Sequence, residues 1–337
     1  MGSSGRQENI GKELMEKVSV IIPNYNGKKF LTDCLESLKK QTFRDFRVLI
    51  VDNGSTDGSQ DFIKNNYPRV TLVALPENTG FANAVNIGIK SCESEYVFLL
   101  NDDTVCSEDV LERLVSTMDR KKKIFSAQAK MLQFKEPHLI DDAGDLYCAL
   151  GWAFSPGRDK DNKYFSSIEP VTSACAGAAI YRRELFDEVG LFDPAHFCYL
   201  EDVDLGYRAR LKGYINVCEP RAIVYHAGSG TSGSRYNRFK VELTAGNNLY
   251  FIYKNMPILQ IAINLPLILA GILIKHVFYT KRGLGGAHLK GLALGLSKIR
   301  VNADKRVAFG KKEIFNSLRM QLELWINCAR KFGAVFL

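Results

Sequence analysis

Short apolar runs rich in β-branched residues alternate with amphipathic stretches through the first hundred residues. Val18-Ser19-Val20-Ile21-Ile22 is the first run and ends at Pro23. From Lys28 to Lys40, residues Phe30, Leu31, Cys34, Leu35 and Leu38 recur at helical spacing. Arg47–Val51 predicts a second buried strand, stopped by Asp52-Asn53-Gly54. A helix over Asp57–Asn66, a strand over Val70–Leu75, a helix over Phe81–Lys90 and a strand over Tyr96–Leu100 follow. Strands at this spacing, joined by helical crossovers, imply a Rossmann-like α/β fold. Its sheet is mostly parallel, with helices on both faces.

The pattern weakens between residues 130 and 170, where Gly144, Gly151, Pro156 and Gly157 suggest irregular structure. It returns at Ala174–Tyr181, in a helix near Arg183–Val189, in a helix over Val203–Lys212 closed by Gly213, and in a strand-like run over Ala222–Tyr225. Residues 258–274 form the longest apolar stretch, interrupted by Gln260, Asn264 and Pro266. Seventeen residues is at the lower edge for a membrane span.

Charge changes the picture at this point. Residues 246–337 hold 14 of the 45 Lys and Arg but only 3 of the 37 Asp and Glu, so the tail is strongly basic and the remainder slightly acidic. An apolar stretch followed by Lys275, Lys281, Arg282 and Lys290 predicts an interfacial helix pair on an anionic membrane. A homodimer through the same helices, or a true span, are the other arrangements. The positive charge sits among aliphatic runs rather than stacking aromatics, which speaks against a nucleic-acid partner.

With 46% apolar residues and a mean hydropathy of −0.11, the chain is neither disordered nor a multi-span transporter. Its eight cysteines include no Cys-x-x-Cys pair and read as reduced thiols. Residues 1–17 are polar and read as a disordered leader or, at Met1-Gly2-Ser3-Ser4-Gly5, an expression remnant. The expected organisation is a catalytic body over 18–245, in two halves at 18–105 and 106–245. A basic helical region follows at 246–337.

In such sheets ligands bind beyond the carboxyl ends of the strands. Three of those ends carry polar residues: Asn24-Tyr25-Asn26, Asp52-Asn53 and Asn101-Asp102-Asp103. One such end would be an ordinary turn, but three on one rim predict a site. Adjacent carboxylates after a buried strand suit a hard divalent cation that neutralises a departing diphosphate. Glu201-Asp202-Val203-Asp204 opens a helix after an aromatic stretch, where desolvation favours a general base. Asp204 is the member expected merely to complement the helix dipole. His226, followed by a Gly/Ser loop able to act as a flap, is a candidate third metal ligand. Trp152 is counted among the substrate-binding candidates.

These motifs together resemble the family 2 glycosyltransferases of the GT-A fold. The likeness is greatest to the bacterial branch of rhamnosyltransferases and related cell-surface polysaccharide enzymes. It is carried by Val20–Gly27, Val51–Ser59, Asn78–Gly88, Leu100–Thr104, Gly190–Asp193, Leu200–Leu205 and His226. The metal motif is Asn-Asp-Asp-Thr rather than a strict Asp-x-Asp.

The resemblance implies an inverting transfer of a sugar from a nucleoside-diphosphate donor to a hydroxyl of a lipid-linked glycan. dTDP-rhamnose is the first donor and UDP-hexose or UDP-galactofuranose the second. Pro23, Asn24, Tyr25 and Asp52 would hold the nucleobase and ribose, while Asn78, Gly80 and Asn86 would line the ribose and diphosphate region. Asp103, with His226, would bind Mg²⁺ or Mn²⁺, and Asp102 would sit nearer the ribose. Asp202 would be the base, with Glu201 beside it at the substrate. The expected location is peripheral, on the cytoplasmic face of the inner membrane. The competing classes are a catalytically silent membrane-docked subunit and a sugar nucleotidyltransferase. The latter lacks its glycine-rich basic loop after the first strand.

Overall fold

A computed structural model of the chain describes residues 16–228 and 236–336. The leader up to residue 15 and Ser229-Gly230 of the expected flap lie outside the described residues.

The chain begins with β1 (Val18–Asn24), α1 (Lys28–Lys39), β2 (Phe46–Asp52), α2 (Ser59–Asn66), β3 (Thr71–Ala74), α3 (Phe81–Lys90) and β4 (Tyr96–Leu100). β1 pairs in parallel with both β2 and β4, and β2 with β3. Period-two alternation divides these strands between two cores. Val18, Val20, Ile22, Phe98 and Leu100 meet Leu31, Leu35 and Leu38 of α1 and Ile63 of α2. Ile21, Leu49, Val51, Val97 and Leu99 face the other way, onto Ala82, Val85 and Ile89 of α3. Both faces are covered, so the strands read as continuous apolar runs.

Next come β5 (Thr104–Cys106), α4 (Val110–Arg120), β6 (Ile124–Gln133), β7 (Ile140–Asp142), β8 (Leu146–Cys148), β9 (Trp152–Phe154), β10 (Glu169–Val171) and β11 (Ala178–Arg182). The stretch expected to be irregular therefore contains four short strands and the end of a long one. α5 (Phe186–Val189), α6 (Glu201–Leu211) and β12 (Ile215–His226) complete the sheet, in the order β10-β12-β6-β11-β4-β1-β2-β3. β11 is antiparallel to both neighbours, while β6 and β12 are parallel. The sheet is thus mostly parallel along this order, with β11 reversed between two parallel sets and β10 reversed at the edge.

The last four helices are α7 (Arg238–Asn255), α8 (Ile258–Thr280), α9 (Gly285–Val301) and α10 (Lys311–Phe336). The division drawn at residues 245 and 246 falls inside α7, which runs through it unbroken. A third core joins Tyr147, Val203, Tyr207 and Leu211 of the body to Phe251, Ile252, Ile268, Met320 and Leu324 of the helices. Burying aromatic and aliphatic side chains of this size contributes about 1.5–3 kcal/mol each. The helical layer is therefore welded to the back of α6.

Candidate active site

β1 and β2 end in register, which sets Asn24 beside Asp52. Asn24 Nδ2 donates to Asp52 Oδ2 at 2.6 Å and to Ser55 Oγ at 3.1 Å. The other Asp52 oxygen accepts from the Ser55 backbone N–H and Gln60 Nε2. Asp52 is fully buried. Asp52 is not among the residues that line the cleft, and its carboxylate holds Asn24, Ser55 and Gln60. Asn24 Oδ1, in contrast, is a buried acceptor with no hydrogen-bond partner. A ribose hydroxyl or a base N–H would satisfy it.

Asn78 lines the cleft and accepts from Asn53 Nδ2 and the Gly80 N–H. Gly80 has φ +88°, and a Cβ there would lie 2.6 Å from the Phe197 ring. This is the close approach that requires glycine. Asn86 was expected at the diphosphate, but its amide clamps the backbone of Phe192 at 2.7 and 3.0 Å and is buried on the far side of α3. Both its hydrogen-bonding groups are engaged there, and it is not among the residues that line the cleft.

β4 delivers Asn101, Asp102 and Asp103 into the cleft. Burial, with Asp103 adjacent, pushes the Asp102 carboxyl up to about 7. β12 pairs antiparallel with β5, setting His226 opposite Thr104 and so beside Asp103. His226 Nε2 lies 3.3 Å from Asp103 Oδ1, and its Nδ1 lies 2.6 Å from Asp141 Oδ2. Burial opposes charge on this ring, but the two carboxylates outweigh it and push the imidazole up to about 10. Arg158 Nη2 donates to the other Asp141 oxygen at 3.0 Å.

Across the cleft stand Glu201 and Asp202, in the first turn of α6. Asp202 accepts from the Val203 and Ala176 backbone N–H groups at 2.8 and 3.3 Å. Burial nevertheless pushes its carboxyl up to about 6. Burial also raises Glu201, whose Oε2 has no hydrogen-bond partner. Asp142 and Asp145 line the same wall, both raised by burial. The acidic set at 141, 142 and 145 and Arg158 went unnoticed in the sequence because they sit in the weakly patterned stretch. An acidic pair directly after Ile140 was the available signal. Asp204 points away into a buried network with Arg208, Lys254 and Asn255.

The cleft has a volume of about 840 Å³, ample for a nucleotide sugar. It brings together Pro23, Asn24, Tyr25, Asn78, Asp102, Asp103, Glu201, Asp202 and His226. Trp152 is not among its walls: the indole donates to the Gly271 carbonyl of α8 at 3.2 Å, and its neighbours Ala153 and Phe154 reach the cleft instead. Among the described residues no three His, Cys, Asp or Glu side chains are gathered tightly enough to enclose an ion alone. Asp103 nevertheless fits a divalent cation as part of a shell, and His226 would join it once the cation displaced the ring proton facing Asp103.

A mostly parallel α/β sheet with a carboxylate-lined cleft over its strand ends has the architecture of the GT-A glycosyltransferases. The family model for Glycosyl transferase family 2 matches residues 19–190, and the chain belongs to that family of glycosyl-transferring enzymes.

Among curated relatives, the N-acetylglucosaminyl-diphospho-decaprenol L-rhamnosyltransferase of Mycobacterium tuberculosis is 27% identical over 243 residues, covering 65% of this chain and 79% of the relative. Glycosyltransferase GlyG of Streptococcus pneumoniae is 32% identical over 113 residues, 32% of this chain and 37% of its own.

The mannosyltransferase PcManGT from Pyrobaculum calidifontis, solved with GDP-Man and Mn²⁺, shares the fold at TM-score 0.54 and 16% identity, over 95% of this chain and 87% of that one. GalNAc-T7 with UDP, GalNAc and Mn²⁺ does so at TM-score 0.57 and 17% identity, over 72% of this chain; the chain spans about half (48%) of that structure.

Proposed function

We propose that this enzyme transfers a sugar, with inversion, from a nucleoside-diphosphate donor to a hydroxyl of a lipid-linked surface glycan. dTDP-rhamnose is the first donor and UDP-hexose or UDP-galactofuranose the second. The observation that supports this reading is a single cleft lined by Asp103, His226 and Asp202, with His226 Nε2 3.3 Å from Asp103 Oδ1. The relative named for L-rhamnosyl transfer to a diphospho-decaprenol acceptor supports the donor and acceptor classes.

Asn24, Tyr25 and Asn78 bind the nucleoside, with Asp102 toward the ribose. Asp103 and His226 hold Mg²⁺ or Mn²⁺, which when bound offsets negative charge on the leaving diphosphate. Asp202 takes the proton of the acceptor hydroxyl as that oxygen bonds to the anomeric carbon from the face opposite the diphosphate. The bond to the diphosphate breaks in the same displacement, so no enzyme nucleophile is needed. Glu201 and the acidic wall at Asp142 and Asp145 accept hydrogen bonds from sugar hydroxyls.

The helical layer, starting at α7 instead of residue 246, seats the enzyme peripherally on an anionic membrane surface at its cytoplasmic face. α8 is long and apolar enough to cross a membrane, yet only 22% of its most apolar window is buried. Its polar interruptions are spent on α10: Asn264 and Gln321 exchange amide hydrogen bonds at 2.8 and 2.9 Å, and Gln260 donates to Ser317. This pairing along one face with α10 and Trp152 supports an interfacial helix.

Calorimetry of dTDP, UDP and GDP, each with and without Mn²⁺, on wild type and Asp103→Ala tests the assignment. Mn²⁺-dependent binding of one nucleotide, lost in the variant, is expected. Folded wild type that binds none of the three refutes it.

A further inference from the structure

The residues before the acidic pair of α6 take an unusual path. Phe197, Tyr199 and Leu200 have φ of +64°, +69° and +67°, and none is glycine. Left-handed backbone at such residues costs on the order of 1–3 kcal/mol each, so surrounding structure must impose it. The same segment lines the cleft through Phe197, Cys198, Tyr199 and Leu200, and its last residue caps α6 directly before Glu201 and Asp202.

What holds it comes from the helical layer. Asn247 of α7 is fully buried, and its Nδ2 faces three carbonyls: His196 at 2.9 Å, Cys198 at 2.9 Å and Tyr199 at 2.8 Å. Its Oδ1 accepts from Lys298 Nζ of α9. An ammonium only donates, so this contact fixes which end of the amide faces the loop. The two helices bearing these residues are packed backbone against backbone. A Cβ on Gly246 would lie 2.8 Å from the Gly291 carbonyl, and one on Gly295 would lie 2.7 Å from that of Gly246. On its other side the segment is tied to α3, where the Ala82 N–H donates to the Phe197 carbonyl at 3.1 Å.

We infer that Asn247, oriented by Lys298, is a positioning residue: it holds the left-handed 197–200 segment and thereby sets where the Glu201 and Asp202 carboxylates stand in the cleft. The helical layer is then part of the catalytic apparatus as well as an anchor. The inference rests on the assignment of Asp202 as the base.

Amide hydrogen exchange of the full chain is the test, comparing wild type with Asn247→Asp and Lys298→Met. Nucleoside diphosphate release and Mn²⁺-dependent nucleotide binding are measured on the same proteins. Aspartate at 247 keeps an acceptor for Lys298 but loses the donor to the three carbonyls. The expected result is exchange in residues 196–204 faster by about tenfold or more. kcat falls by about a hundredfold, as for misplacement of a reacting group. Nucleotide affinity stays within about twofold, because the nucleoside residues stand on other elements. Lys298→Met leaves the amide in place but free to turn, and shows the same pattern at about a tenfold loss of kcat. Unchanged exchange at 196–204 overturns the inference. So does faster exchange throughout the chain with nucleotide affinity lost in step, which is what a merely structural residue would give. Transfer that survives Asp202→Asn refutes the base assignment alone, and exchange at 196–204 then still decides whether Asn247 holds the segment.

Discussion

His226 Nδ1 lies 2.6 Å from Asp141 Oδ2, a contact between residues 85 apart in the chain. It turns the other ring nitrogen toward Asp103, 3.3 Å away. A carboxylate behind a ligating imidazole fixes its tautomer and raises its basicity. Asp141 in turn is held by Arg158.

Asp141→Asn is therefore expected to weaken Mn²⁺-dependent nucleotide binding by about 10–100-fold, the usual cost of losing such a partner. Metal-free binding, if measurable, stays unchanged. Calorimetric titration with and without the cation separates the two. An equal loss in both would mean that Asp141 contacts the nucleotide itself.

Gly27, at the start of α1, offers a second probe of the metal-side wall. A Cβ there would lie 1.9 Å from Asp102 Oδ2 and 2.7 Å from Asn24 Oδ1. Both atoms belong to side chains that face the cleft, so alanine displaces them without breaking the sheet. Gly27→Ala is expected to lower nucleotide affinity by about tenfold or more while costing about 1–3 kcal/mol of stability, the range for overpacking. Affinity equal to wild type would show that Asp102 and Asn24 do not touch the nucleotide.

Where the chain repeats with a clear period, the sequence was readable. β4 is a continuous apolar run, β1 and β2 are nearly so, broken by Ser19 and Arg47, and their polar ends mark one rim. β7, β8 and β9 are three residues each, too short to show alternation, and β7 pairs with the much longer β6. Asp141 escaped notice for that reason, since its meaning depends on a histidine on β12, with β6 between them. Trp152, a substrate-binding candidate in the sequence, donates its indole N–H to a carbonyl 119 residues later. Asn86 lay inside a matching motif, and only the fold shows that Phe192 occupies its amide.

The outer faces of α8 and α10 supply a third test. Leu269 is 57% exposed and Leu322 is 60% exposed, on helices flanked by basic residues. Apolar area of this kind, with positive charge around it, binds anionic interfaces. Leu269→Asp combined with Leu322→Asp is expected to abolish co-sedimentation with phosphatidylglycerol-containing vesicles while leaving nucleotide affinity and melting temperature near wild type. Wild-type binding should also weaken with salt and vanish on pure phosphatidylcholine. Loss of a dimer in the double variant, with vesicle binding absent in wild type, would assign the face to a second copy instead.

Asp202 makes the sharpest demand, because its two consequences point in opposite directions. Burial holds its carboxyl at about 6, above the ordinary 3.8. A base must be ionised, so kcat should fall as pH drops through about 6, losing about tenfold per unit below it. For folding, a carboxyl raised above its unfolded value favours the protonated form. Its contribution to stability is fully present below about 4 and is lost as pH rises through about 6. At neutral pH the ionised group therefore opposes folding, by on the order of 3 kcal/mol for a rise of this size. Asn at this position removes the charge. Asp202→Asn is expected to lower kcat by about 10²–10⁴-fold, the range for losing a general base, yet to melt at a higher temperature than wild type near pH 8. That advantage should shrink as pH approaches about 4, where wild type is protonated as well. Thermal melts across this range, paired with the pH profile of kcat, check both halves. A variant that is inactive and less stable at every pH would place Asp202 in the framework of α6 and leave Glu201 as the acid to test next.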